Sequence, residues 1–157
     1  MIQYICIQPR IYMEIEIKKA EPADFLAIHA LIQQFAEFIQ TPEKVRITPE
    51  QMVQDQSFFN CLIACSGEEV IGFATYFFAF YSWTGKAVYL DDLYVLEAYR
   101  GAGIGTRLFD EVKEIGGQQG CYKMKWQVSK WNKAAQTFYV SKGASIDEVE
   151  INCELML

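Results

Sequence analysis

Three runs rich in β-branched and aromatic residues follow one another in the middle of the chain: Asn60 to Ala64, Val70 to Phe80 and Lys86 to Val95. Five residues containing Ser66-Gly67-Glu68 separate the first two, and five containing Ser82-Trp83-Thr84-Gly85 the second and third. A parallel return needs a crossover of a dozen or more residues, so connections this short force antiparallel neighbours and make the region a meander. Upstream, Met13-Glu14-Ile15-Glu16-Ile17-Lys18 alternates with period two, as a half-buried strand does. Residues 1–12 read as an N-terminal extension to it, with Met13 a candidate natural start. From Pro22, the apolar residues Phe25, Ile28, Leu31, Ile32, Phe35 and Ile39 recur at helical spacing. Thr48-Pro49-Glu50-Gln51 has the form of a capping box and announces a short helix through Phe58. After the meander the pattern alternates. A helix is expected from Gly103 to Gly117 with Ile104, Leu108, Val112 and Ile115 on its core face, then a strand from Tyr122 to Val128. A helix from Asn132 to Lys142 and a last strand from Glu150 to Met156 follow. Antiparallel strands followed by strand-helix-strand-helix-strand make an α+β sheet with helices on both faces.

At 157 residues, with 52% hydrophobic and 22% charged residues, the chain has the length and composition of one globular domain spanning 1–157. The 14 Lys and Arg against 20 Asp and Glu leave a net charge of −6, the wrong sign for holding nucleic acid by phosphate neutralisation. Small cationic or neutral partners are expected instead. The five cysteines are odd in number and form no CxxC pair, so neither a disulfide framework nor a zinc knuckle is expected, and a reducing cytoplasmic interior fits. Cys61 and Cys65, four apart on a strand, read as buried spectators on one face rather than metal ligands. His29 is the lone histidine and reads as a packing or surface residue. The longest apolar run, Ile71 to Phe80, falls far short of the ~20 residues of a membrane span, and the N-terminus lacks the form of a signal peptide.

One stretch has chemistry that is hard to explain away. Arg100-Gly101-Ala102-Gly103-Ile104-Gly105 lies between an expected strand and an amphipathic helix. Its glycines allow a tight turn that brings several N–H groups near an anion, and a helix N-terminus adds about half a positive charge. A Walker A loop would need Gly-Lys-Ser/Thr, whereas Gly105, Thr106 and Arg107 stand here. A dinucleotide fold would want GxGxxG and an acid ending the next strand, where Gln127-Val128-Ser129 stands. A turn that merely caps a helix is the plain alternative.

Arg100 with Gly103 and Gly105 matches the RxxGxG signature, and the chain resembles the GNAT superfamily of acyl-CoA N-acetyltransferases. Tyr89-Leu90-Asp91-Asp92-Leu93-Tyr94-Val95, Glu97 to Gly101, Trp131-Asn132, Phe138-Tyr139 and Lys142-Gly143-Ala144 are similar to the diamine (spermidine/spermine) acetyltransferase branch, as is Tyr81 to Lys86. The resemblance implies a mostly antiparallel sheet splayed at its middle, acetyl-CoA as co-substrate with no metal, a small amine acceptor and a homodimer. It assigns the coenzyme to Arg100, Gly101, Ala102, Gly103, Ile104, Gly105 and Thr106, to the backbone of Leu93, Tyr94 and Val95 at the splay, and to Asn132 and Ala135.

Acetyl transfer to an amine makes three demands: a neutral amine, a polarised carbonyl and a proton for the departing thiolate. An alkylamine with a pKa of roughly 10.4 is neutral about one time in 10³ at pH 7, a cost of about 4–5 kcal/mol, so an acid must help remove its proton. By resemblance that acid is Asp91, binding the ammonium or accepting its proton through water. It is one methylene shorter than the family's Glu. Asp92 follows directly and is a second candidate for acceptor binding; on a strand the two carboxylates point to opposite faces, so at most one faces a given cleft and the pair is not a dyad. Tyr139 matches the family's general acid toward the coenzyme sulfur, although an aromatic beside Phe138 on a helix is ordinarily core. Trp83 is expected either to line the acceptor pocket as a cation–π surface or to pack on the sheet. Phe38 stands where the branch has an acceptor-site tyrosine, and Ile39 where it has a second acid. A non-catalytic acyl-CoA-binding module and a protein N-acetyltransferase are the alternative functions.

Overall fold

The computed structural model describes residues 14–149, 152–153 and 155–156, in two compact units, one running to Lys125 and the other from Trp126. In the first unit the short turns produce the meander they require. Strands β2 (Asn60–Ser66), β3 (Glu69–Tyr81) and β4 (Gly85–Val95) lie antiparallel, and β1 (Ile15–Lys19) adds antiparallel to β2. Strand β5 (Lys123–Lys125) runs parallel to β4, giving the order β1-β2-β3-β4-β5. Of the strand expected over Tyr122 to Val128, three residues join this sheet, opposite Ala87, Val88 and Tyr89.

Helix α1 (Phe25–Phe38), entered through a 3-10 turn at Pro22–Asp24, and helix α2 (Pro49–Gln54) cover one face. They bury Phe25, Ile28, Leu31 and Met52 against Cys61, Ile63 and Cys65 of β2, Phe73 of β3 and Tyr94 of β4. The two cysteines share a face, as their spacing requires. Ile28, Ile63 and Phe73 are wholly shielded, each worth about 1.5–3 kcal/mol of burial. The capping box forms in both directions: Thr48 Oγ1 accepts from Gln51 N at 3.3 Å and Gln51 Oε1 from Thr48 N at 3.1 Å. Helix α2 nevertheless stops at Gln54 instead of reaching Phe58. One turn beyond Met52, at i+3 and i+4, stand Asp55 and Gln56, so the core-facing stripe lapses, and Phe58 is left exposed. His29 Nε2 donates to the Ile47 carbonyl at 3.0 Å, tethering α1 to the approach to α2.

The opposite face carries α3 (Ile104–Gln118), which buries Ile104, Leu108, Phe109 and Val112. It lies so close to the sheet that a Cβ on Gly116 would sit 2.5 Å from Val88 Cγ1. Only glycine allows that approach. The layered α+β arrangement with helices on both faces is therefore present in this unit.

In the second unit α4 (Lys133–Ser141) starts on Asn132, whose Oδ1 accepts from Ala135 N at 3.1 Å. Tyr139, on α4, is buried, with its ring 4.9 Å from Trp126 and 5.2 Å from Phe138. Gln127 Nε2 donates to Asn152 Oδ1. The strand expected over Glu150 to Met156 includes Glu150, Ile151 and Glu154, outside the described residues, and its described members take no regular structure. The 1–12 extension, Cys6 and Met13 also lie outside them.

Candidate active site

Two features of the first unit, at either end of the second half of β4, have the geometry of a site. The first is the loop from Arg100 to Thr106. After β4, Leu96 N donates to Ile71 O at 2.9 Å and a 3-10 turn over Glu97–Tyr99 leads into the glycines. Gly101 and Gly103 have φ of 79° and 78°, in the left-handed region that side chains disfavour. A Cβ at either would meet nothing within 4 Å. Conformation rather than crowding selects glycine here, and the open space beside it is what a bound group requires. Gly103 is the N-cap of α3 and no side chain caps the helix. The first-turn amides, of Ile104, Gly105 and Thr106, have no carbonyl one turn earlier to bond. Together with the dipole of a 15-residue helix, they form an anion cradle suited to a pyrophosphate.

The Arg100 side chain turns back toward the sheet. Its Nε donates to the Val95 carbonyl at 2.9 Å, and its guanidinium carbon lies 4.7 Å from the Phe38 ring centroid and 5.4 Å from that of Tyr94. Arg100 thus laces the end of α1 to the end of β4. Phe38 is engaged with this guanidinium.

The second feature is a bulge in β4. Leu93 pairs with Ala74 and Leu90 with Tyr76, so Asp91 and Asp92 together oppose the single residue Thr75. This overturns the expectation that the two carboxylates point to opposite faces. Tyr89, opposite Phe77, and Tyr94, opposite Phe73, both lie on the α1 side, and counting inward from either one places its neighbouring aspartate on that side too. Thr75 Oγ1 accepts from Asp92 N at 3.0 Å, and its side chain favours the ionised Asp92 carboxyl. Burial, then the neighbouring Asp91 charge, pushes the Asp92 carboxyl up to about 6, against the lowering effect of Thr75. Burial alone raises Asp91. A carboxylate titrating near neutrality is suited to accept a proton at physiological pH.

The ladder to β5 ends at Tyr89 opposite Lys125, immediately before this bulge. From Leu90 to Val95 the β5 side of β4 therefore has no ladder partner among the described residues of the sheet, and the backbone of Leu93, Tyr94 and Val95 lies along this opening. On the acidic side the Phe77 and Tyr89 rings stack at 4.8 Å and 20°, with Phe77 partly exposed. Trp83 is 97% exposed, which removes the reading that it packs on the sheet. Thr75 and the Phe77–Tyr89 shelf escape sequence reasoning, since a buried threonine in a strand has no signal of its own until the register is known.

The acetyltransferase (GNAT) family model matches residues 25–143. Thialysine N-epsilon-acetyltransferase of Mus musculus is 36% identical over 140 residues, covering 82% of each chain. Spermidine/spermine N(1)-acetyltransferase-like protein 1 of Homo sapiens is 35% identical over 140 residues, 82% of this chain and 20% of that longer one. Among solved structures, an aminoglycoside acetyltransferase from an uncultured soil metagenomic sample superposes with a TM-score of 0.76 at 20% identity, covering 92% of this chain and 100% of the other. An aminoglycoside N-acetyltransferase in complex with CoA gives 0.74 at 19%, covering 92% and 96%.

Proposed function

Because the chain belongs to the acetyltransferase (GNAT) family, we propose that it transfers acetyl from acetyl-CoA to the primary amine of a small cationic acceptor by direct attack. The acceptor class is a polyamine or a diamine-like amino acid, a reading supported by relatives named for thialysine and for spermidine/spermine. The observation that carries the proposal is the pairing of an anion cradle at one end of β4's second half with two carboxylates on one face at the other.

Each demand of the reaction has a group to meet it. The amides from Gly101 to Thr106 hold the pyrophosphate, and the backbone of Leu93, Tyr94 and Val95 lines the slot and polarises the carbonyl. Asn132, already occupied as a helix cap, and Ala135 lend further contacts to the coenzyme. The coenzyme supplies an activated thioester when bound. Asp91 receives the ammonium. Asp92, ionised above about pH 6, accepts the proton that must leave before attack. Tyr139 returns a proton to the departing thiolate, since a phenol near pKa 10 is protonated at neutral pH. Trp83 offers a cation–π surface to a second ammonium of the acceptor. The free thiols of Cys61, Cys65, Cys121 and Cys153 accord with the cytoplasmic setting we assign, and a homodimer would scatter light at twice the chain mass.

Thiol release with a panel of diamines, aminoglycosides, arylalkylamines and amino acids tests the reading. Turnover should be highest with diamines. Binding of acetyl-CoA without turnover on any amine would make the protein a non-catalytic acyl-CoA-binding module instead.

A further inference from the structure

Thr75 is the one polar residue among the buried side chains of the described residues, and it sits directly opposite the two-residue bulge. Its Oγ1 accepts from the backbone amide of Asp92 at 3.0 Å, and its side chain favours the ionised form of the Asp92 carboxyl. In a bulge the extra residue's amide loses its ladder partner, and a buried N–H left unpaired is costly. Valine, the β-branched isostere, would leave that amide and the carboxylate without this partner.

We propose that Thr75 is a positioning residue for acetyl transfer, holding the Asp91–Asp92 bulge open and aiming the Asp92 carboxylate at the acceptor amine. The inference rests on the reading above, that this pair serves the amine. Thr75 touches no reacting atom and acts wholly through Asp92. The groups facing Asp92 are few. Asp91 lies beside it on β4 and Thr75 across from it on β3. Cys61 on β2 feels the charge of both Asp92 and Asp24, the latter at the entry to α1. Both thiol and carboxylates are disfavoured as anions by burial, so Thr75 is the neutral side chain that keeps Asp92 ionisable near neutral pH.

The test compares the wild type with Thr75→Val, Thr75→Ser and Asp92→Asn, reading the Asp92 carboxyl titration by NMR without substrate and kcat/KM against pH with the best amine of the panel. In Thr75→Val the carboxyl titration and the acid limb of kcat/KM should both move up by about one pH unit. Turnover at pH 6 should fall about fivefold and KM for acetyl-CoA should stay within twofold, since the cradle is untouched. Thr75→Ser should restore both readouts. An unmoved carboxyl titration in folded Thr75→Val overturns the inference, whatever the activity. If the titration moves but Asp92→Asn keeps the wild-type acid limb, the hydroxyl tunes a carboxylate the reaction does not use. The proposed role of the pair then fails, and the catalytic part of the inference with it. Should Thr75→Val fail to fold, Thr75→Ala is read by the same two measurements.

Discussion

The glycine loop and the β4 bulge are near neighbours in the chain and differ in which atoms they present. The loop offers main-chain amides in open space, and its residues are chosen for φ alone: Gly101 and Gly103 are left-handed with nothing near a Cβ. The bulge offers side chains in a half-buried place, and their chemistry is set by neighbours: burial and Asp91 push Asp92 up, and Thr75 pulls it down. A backbone site binds an anion whatever the pH. A half-buried carboxylate site has its behaviour written by what surrounds it, so mutations at the two should separate binding from chemistry.

The largest effect is expected at the loop. Gly103→Val forces a β-branched residue to φ near 78°, at a strain of about 1–3 kcal/mol or a rearranged loop. Calorimetry should record a loss of roughly 100-fold in acetyl-CoA affinity with the fold retained. A variant binding normally would break the comparison, since backbone conformation would then not matter. Next is Tyr139→Phe, which removes the proposed acid: kcat should fall about 100-fold while acetyl-CoA binding is unchanged. Full turnover across pH 6–9 would remove Tyr139 from the mechanism.

Asp92→Asn sharpens the bulge side. The folded state holds this carboxyl at about 6 against roughly 3.9 in an unfolded chain. The native state therefore binds the proton more tightly, and stability is lost as pH rises between these values. The Asn variant avoids that loss and should unfold about 3 kcal/mol harder at pH 7 in urea. The gain should close below about pH 4, while acetyl-CoA affinity stays put. A less stable variant at pH 7 would mean that the carboxylate is held by contacts stronger than its burial cost. The smallest effect is expected for Gly101→Ala, about 1 kcal/mol or severalfold in affinity, since alanine tolerates the left-handed region better than valine.

The same contrast explains what could be read in advance. Strand β3, read as Val70 to Phe80, is Glu69–Tyr81, and α3, read as Gly103 to Gly117, is Ile104–Gln118. Both carry strong periodicity and local stop signals. The glycine loop was legible for the same reason, because positive φ is a local demand that glycine answers. The bulge was not. Asp91-Asp92 looks like regular alternation until the pairing of Leu90 with Tyr76 and Leu93 with Ala74 is known, and register is a long-range property. The ladder to the shortened β5 ends at Tyr89, just before the β4 bulge. The motif singles out Arg100 but gives no sign that its side chain also reaches Phe38, Tyr94 and the Val95 carbonyl.

The most direct measurement is a pair of calorimetric titrations of the wild-type protein, with acetyl-CoA and with S-acetylpantetheine, which carries the same thioester arm without the pyrophosphate. A grip by the amides from Gly101 to Thr106 predicts that the truncated compound binds at least 100-fold more weakly. Equal affinities would place the binding energy elsewhere and contradict the account.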